Sequence, residues 1–210
     1  MQLLLIRHAL PNRSESGQGS DPDLSTMGLE QAGRLPAALQ RYPISRIVTS
    51  PQQRAIATAG PLAAARGLDV EIDPRLAEYD RDLTEYLPVE QLRTERPEQW
   101  ARMAAGLLPD GVDEAEFLGR VSDAVSDLVA AAGHDDTVAV VSHGGVINAL
   151  LHRSLGTRRI LSFAVDYTSV TRLYYSRSGN PAVIAVNTTE HVWDLLPHRQ
   201  ARPAADGAGR

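Results

Sequence analysis

The chain of 210 residues contains no cysteine. That excludes disulfides, thiolate metal sites and cysteine nucleophiles. It also contains no lysine, so all 21 of its basic residues are arginine. Schiff-base chemistry and a P-loop lysine are thereby ruled out. A coding bias towards Arg and Ala is a sufficient origin, but the consequence is chemical. Any anion this protein holds is held by arginine, backbone N–H groups or histidine. Long apolar runs are missing too. The opening run Met1 to Ile6 is too short for a signal peptide and lacks a small-residue cleavage site, and no stretch approaches the length of a membrane span. The expectation is a cytoplasmic protein. A net charge of -5 gives no basic footprint for nucleic acid or an anionic membrane, so neither is expected as a partner. A homodimer is compatible with a chain of this kind.

What is present is an ordinary globular composition, 43% hydrophobic and 22% charged, long enough to bury a substantial core in one domain. Apolar runs predict strands over Gln2 to Ile6, Arg46 to Thr49, Thr137 to Ser142 and Ala182 to Val186, and the β-branched and aromatic stretch Ser169 to Tyr175 predicts another. The first and third are continuously apolar, which suits strands covered on both faces. Helical patterns lie between them. Ser25 or Thr26 caps a helix with Ala32, Leu35 and Leu39 on one face. Ser50-Pro51 reads as a helix start running towards Gly67, with a kink or break expected at Gly60-Pro61. A helix from about Asp113 to Ala132 carries Phe117, Val121, Val125 and Leu128, with Gly133 as its C-cap, and another follows Gly144-Gly145.

Alternating strands and helices predict an α/β fold, a single three-layer α/β/α domain over 1–196 with a mainly parallel central sheet flanked by helices. Residues 79–110, with three prolines, several charges and weak periodicity, read as an insertion over one end of the sheet and a candidate lid. Residues 197–210, rich in Pro, Ala, Gly and Arg, read as a disordered tail.

Three predicted strand ends carry chemistry: Arg7-His8, Thr49-Ser50 with Arg54 a turn later, and Ser142-His143-Gly144. Ligands of parallel α/β sheets bind outside the carboxyl ends of the strands, so two histidines and two arginines are expected in one crevice. Taken singly, each has an ordinary reading as a structural histidine or a surface arginine; the combination is what points to a site. Arginine beside the histidines disfavours a metal cation, and no H-E-x-x-H or equivalent spacing exists, so neither metal nor cofactor is expected. Guanidinium forks, imidazole and helix N-termini after Ser50 and Gly144 suit a phosphate instead.

At this point the sequence resembles a known family. Leu5-Ile6-Arg7-His8-Ala9 is similar to the Arg-His-Gly signature of the histidine phosphatase superfamily, the phosphoglycerate-mutase-like proteins. Leu24 to Ala32 resembles its helix opening, Thr49 to Ala55 with Thr58-Ala59 its Ser-Pro-x-x-Arg-Ala segment, and Val140 to Gly145 its second histidine motif. The resemblance spans roughly Leu3 to Val192. It implies the phosphoglycerate-mutase-like fold and a phosphomonoesterase acting on a small phosphorylated substrate. His8 would be the nucleophile that becomes phosphohistidine. Arg7, Arg54 and His143 would form the phosphate pocket with the Gly144 N–H as helper, and Glu78 would protonate the leaving group. A neutral His8 needs an acceptor, such as a backbone carbonyl, at its other ring nitrogen, while a protonated His143 would share in neutralising the phosphate.

Asp80 and Asp82 are reserve acids beside Glu78. Asn12 reads as a loop-shaping residue, and His191 as a structural residue bordering the pocket. Arg13, Arg81 and Arg158-Arg159 are by default solvated, and His134, His152 and His198 are surface or helix-end residues. Two departures stand out: Ala9 replaces the signature glycine, and Tyr79-Asp80-Arg81 replaces the Gly-x-Trp-Glu-Gly continuation. The short lid lacks the paired arginines of cofactor-dependent mutases, which favours hydrolysis. Mutase-type phosphotransfer and a non-catalytic phosphate-binding protein are the alternatives.

Overall fold

A computed structural model describes residues 1–14, 21–176 and 181–200. Six strands, β1 (Gln2–Arg7), β2 (Ile44–Thr49), β3 (Val70–Ile72), β4 (Thr137–Ser142), β5 (Val170–Tyr175) and β6 (Pro181–Thr188), form one sheet in the order β3-β2-β4-β1-β5-β6. The pairs β2–β3, β2–β4 and β1–β4 are parallel, and β5 runs antiparallel to both β1 and β6. The sheet is therefore mixed, with β5 as its one reversed strand. β3 is an element that periodicity did not reveal, since three partly exposed edge residues carry no alternation.

Alternation along β1 splits the core into two layers. Leu3 and Leu5 face α5 (Glu114–Ala131) and α6 (Gly144–Leu155), packing with Phe117, Val121, Val146 and Ile147. Leu4 and Ile6 face α1 (Thr26–Ala38) and α2 (Gln53–Arg66), packing with Leu35, Ala55, Ala59 and Leu62. Both neighbours of β1 are paired and both its faces covered, so each of these side chains contributes about 1.5–3 kcal/mol relative to exposure. The result is a single α/β domain of three layers.

Local chemistry sets the helix ends. Ser25 caps α1, its hydroxyl accepting from Gly28 N–H at 3.0 Å and donating to the Leu10 carbonyl at 2.9 Å. A Cβ on Gly28 would lie 2.0 Å from that same carbonyl, so only glycine lets α1 press against the loop that follows His8. α2 does not begin at Ser50-Pro51 as the sequence suggested. It begins at Gln53, whose N–H is taken by Asp21 Oδ2 at 2.7 Å. It also runs unbroken through Gly60-Pro61: the carbonyl that loses its donor belongs to Ala57, which is exposed to solvent and so is not left as a buried unpaired group. Gly67 ends α2 in the left-handed region at φ 62°. By contrast Gly133 is no C-cap: α5 ends at Ala131, its cap residue Ala132 is extended, and Gly133 N–H bonds Asp136 instead.

Residues 79–110 hold two short helices, α3 (Val89–Glu95) and α4 (Pro97–Ala104). They are tied to the loop after β1, where Ser14 and Tyr86 pair through Ser14 N–H to Tyr86 O at 3.2 Å and Arg13 meets Glu95 at 2.8 Å. Within the segment expected to be disordered, Pro197–Gln200 form a further short helix, α7; the rest of that segment, 201–210, lies outside the described residues. Among the described residues no helix is long and apolar enough to cross a membrane.

Candidate active site

Strand order brings the ends of β2, β4 and β1 side by side. The ladders continue one residue beyond the strands: His8 N–H donates to Ser142 O at 2.8 Å, and Ser50 N–H to Val141 O at 3.0 Å. His8 and Ser50 are thus clamped to β4, which is followed directly by His143, the N-cap residue of α6. The His8 and His143 rings lie 5.1 Å apart, and both are buried. The expected convergence is present.

His8 Nδ1 bonds the Ala9 carbonyl at 2.8 Å. A carbonyl only accepts, so the proton sits on Nδ1 and Nε2 keeps its lone pair. Burial pushes the His8 pKa well below the usual imidazole value, with the charges of Arg54 and Arg7 acting in the same direction. The methyl of Ala9 is accommodated: the residue is fully buried, its backbone is not left-handed, and its N–H donates to Thr58 Oγ1 at 2.9 Å.

His143 Nε2 pairs with Ser50 Oγ at 2.7 Å. Ser50 therefore orients a pocket residue rather than capping a helix by itself, which sequence reasoning missed. Its hydroxyl also accepts from Gln52 N–H at 3.3 Å, leaving its own proton for His143 Nε2. His143 Nδ1 is then a buried N–H with no hydrogen-bond partner among the described residues. Burial, then Arg54, His8 and Arg7, push the pKa of His143 well below its usual value. This corrects the expected imidazolium: the ring is neutral and offers Nδ1–H as a donor.

The guanidinium of Arg7 lies 3.8 Å from the centre of the Tyr167 ring, and its Nη1 donates to Val165 O at 2.6 Å. Thr168, in the left-handed region at φ 54°, closes this wall by donating its N–H to Arg7 O at 3.0 Å. Such a conformation costs a β-branched residue about 1–3 kcal/mol and persists only where neighbours enforce it. One enforcing contact is His191 Nε2 on Thr168 O at 3.1 Å, the structural place of that histidine. Arg54 is fully buried. Its Nη2 reaches both oxygens of Asp80 at 2.8 and 2.9 Å, and its Nη1 lies 3.6 Å from Asp21. Asp80, read from sequence as a reserve acid, is instead the counter-ion of Arg54.

Glu78 is buried in the loop between a 3-10 turn (Pro74–Leu76) and the 79–110 segment. Arg120 of α5 holds that loop through the carbonyls of Arg75 and Ala77, both at 2.6 Å. Gln52 Oε1 accepts from Glu78 N–H at 2.8 Å. The Glu78 carboxyl takes Gly145 N–H at 2.7 Å and Tyr79 N–H at 3.1 Å. Burial, and then the charge of Asp80, push its pKa up to about 7. Glu78 is consequently poised to give a proton near neutrality.

Gly144 lies beside Arg7, but it is Gly145 that touches the acid. A Cβ there would lie 2.3 Å from Glu78 Oε1 and 2.7 Å from Tyr79 Cε1. Gly145→Ala is expected to destabilise the fold by about 1–3 kcal/mol. It should also cost more activity on alkyl than on aryl phosphates; thermal melts and paired kinetics would check this.

The other candidates sit apart. Asn12 Nδ2 bonds Leu24 O at 3.3 Å and shapes its loop, while Arg13 and Arg81 form surface ion pairs with Glu95 and with Asp82 and Glu116. Among the described residues no group of three His, Asp or Glu side chains is placed to hold a metal. A cleft at the other end of the strands, beside Met1, Asp123, His134 and Arg153, contains none of the convergent groups. Gln52, Tyr167 and Gly145 were missed in the sequence. Gln52 and Gly145 lie inside quoted motifs, so motif membership was their signal; Tyr167 had none.

The arrangement offers a neutral nucleophilic imidazole, two guanidiniums, a neutral N–H donor and a carboxyl that exchanges its proton near pH 7. A family model, histidine phosphatase superfamily (branch 1), matches residues 3–189. A protein named phosphoserine phosphatase 1 from Hydrogenobacter thermophilus is 30% identical, over 93% of this chain and 96% of its own. One named probable phosphoglycerate mutase GpmB from Yersinia enterocolitica is 35% identical, over 74% of this chain and 75% of its own. Among solved structures, mycobacterial glucosyl-3-phosphoglycerate phosphatase superposes with a TM-score of 0.71 at 26% identity, over 89% of this chain and 98% of that one. With a family model matched over nearly its whole length, the chain belongs to the histidine phosphatase superfamily.

Proposed function

We propose that this protein is a cytoplasmic phosphomonoester hydrolase, acting on a small phosphorylated metabolite through a phosphohistidine at His8 without metal or cofactor. The observation that carries this reading is the hydrogen bond of His8: Nδ1 is committed to Ala9 O, leaving Nε2 as a lone-pair nitrogen on a ring kept neutral by burial and the charges of Arg54 and Arg7. Nε2 attacks phosphorus as the bond to the ester oxygen breaks, and Glu78 gives its proton to the departing alkoxide. Arg7, Arg54 and the His143 Nδ1–H stabilise the three equatorial oxygens, with the Gly144 N–H as a further donor. The Glu78 carboxylate then takes a proton from water as that water attacks the phosphohistidine. Inorganic phosphate and the starting imidazole result, and Glu78 is protonated again.

Residues 79–110 serve as the lid over this pocket, tied to the loop after β1 by Arg13 and Ser14. Likeness to a phosphoserine phosphatase and to a glucosyl-3-phosphoglycerate phosphatase supports small metabolites as substrates. Likeness to a phosphoglycerate mutase supports a second reading, transfer to a hydroxyl rather than to water. The test is a screen of phosphorylated metabolites and an aryl phosphate in excess chelator. Release of inorganic phosphate is expected; phosphate transfer without release would favour the mutase reading, and phosphate binding without turnover a non-catalytic protein.

A further inference from the structure

The contact between Asp80 and Arg54 commits the buried guanidinium of the proposed phosphate pocket to an anion of the protein's own. Arg54 Nη2 is bonded to both Asp80 oxygens, while the Asp80 side chain is 13% exposed and so borders the pocket mouth. A carboxylate and a phosphate compete for the same planar donors. We infer that Asp80 is the resting counter-ion of Arg54, and that the phosphate group of the substrate displaces it, releasing the first turn of the 79–110 segment from the pocket floor. This rests on the reading that Arg54 belongs to the phosphate pocket.

The neighbouring groups identify which carboxylate moves. Asp21 is 3.6 Å from Arg54 and is engaged elsewhere, its Oδ2 accepting from Gln53 N–H at 2.7 Å at the start of α2. Displacing Asp21 would uncap a helix. Among the described residues the Asp80 carboxylate, apart from Arg54, accepts only from Gln52 Nε2, at 2.9 Å. Displacing Asp80 breaks no secondary structure.

Gln52 also explains why the acid stays behind. Its Oε1 holds Glu78 N–H while its Nε2 holds Asp80, and the Glu78 carboxyl has a separate anchor at the Gly145 N–H of α6. Asp80 exchanges while Glu78 remains in place two residues away. Asp80 is accordingly a positioning residue. It keeps a buried cation paired between turnovers, and it sets how tightly phosphate binds and leaves.

The test is titration calorimetry of inorganic phosphate against the intact chain. Asp80→Asn keeps the shape and the acceptor for Gln52 but removes the competing charge. It should bind phosphate roughly tenfold more tightly than wild type, the value of one charged hydrogen bond. The KM for alkyl phosphates should fall without a rise in kcat, and phosphate should raise the Tm more than in wild type. Asp80→Glu restores the charge and should return the affinity towards wild type. Equal or weaker phosphate binding by Asp80→Asn would overturn the inference.

A second measurement needs no variant. In wild type, trypsin cleavage after Arg81 should quicken when phosphate is added, and unchanged or slower cleavage counts against release. A wild-type protein that binds no phosphate at all would overturn the pocket assignment itself, and this inference with it.

Discussion

His8→Ala is expected to lower kcat by about 10⁴- to 10⁶-fold, the scale on which removal of a covalent nucleophile acts when the rest of its site persists. Rapid quenching with a labelled phosphate ester should trap an acid-labile phosphoenzyme in wild type and none in the variant. Retained activity, or a phosphoenzyme unaffected by the substitution, would end the proposed mechanism. The variant leaves Ala9 O without its donor, at a cost of about 1–3 kcal/mol, so far-UV circular dichroism should accompany the kinetics. The wild-type pH profile tests the same residue. Because burial and two arginines hold the His8 pKa well below 6.5, the nucleophile is already neutral under mildly acidic conditions. Activity should therefore persist below pH 6.5 instead of falling there as a solvent-exposed histidine would require.

Glu78→Gln should slow alkyl phosphates by about 10²- to 10⁴-fold and aryl phosphates far less, since an aryl leaving group scarcely needs a proton. With the Glu78 pKa near 7, kcat/KM of wild type should fall as pH rises through about 7, and that limb should vanish in the variant. Equal slowing of both ester classes would move the acid role to another group. Stability supplies an independent reading. The folded-state pKa of Glu78 lies above its ordinary 4.5, so its contribution is complete below about 4.5 and is lost as pH rises through about 7. The difference in Tm should thus shift in favour of Gln across that window. His8 and His143 act in the opposite sense: their lowered pKa values mean stability present above 6.5 and lost as pH falls.

The sequence made some of these features legible for a physical reason. β1 and β4 are buried on both faces, and that condition writes itself as the continuous apolar runs Leu3 to Ile6 and Val138 to Val141. Parallel strands deliver their carboxyl ends to one edge, so the sequence alone groups Arg7, His8, Arg54 and His143. The missing parts are long-range side-chain pairings. Ser50 meets His143 across 93 positions, Gln52 meets Asp80 across 28, and Glu78 meets Gly145 across 67. No local period encodes such pairs. The protonation state of His143 failed for a related reason, because it depends on burial and on four neighbours, Arg54, His8, Arg7 and Arg120, that only the fold assembles. Pro61 shows the reverse, a strong local signal overridden by an exposed turn and packing on α1 and β2.

The two halves of the chemistry are not equally anchored. His8, Ser50 and His143 sit at strand ends at the centre of the core, whereas Glu78 and Asp80 hang on a loop and turn held by the Gln52 side chain just before α2, the Arg120 side chain of α5 and the Gly145 N–H of α6. Elements of the first kind open only with the whole molecule, and those of the second by sub-global fluctuation. A protein loosened by gentle heating or dilute denaturant should therefore pass through a state that still accepts phosphate from activated aryl esters but no longer turns over alkyl ones. Its catalytic failure would precede its unfolding.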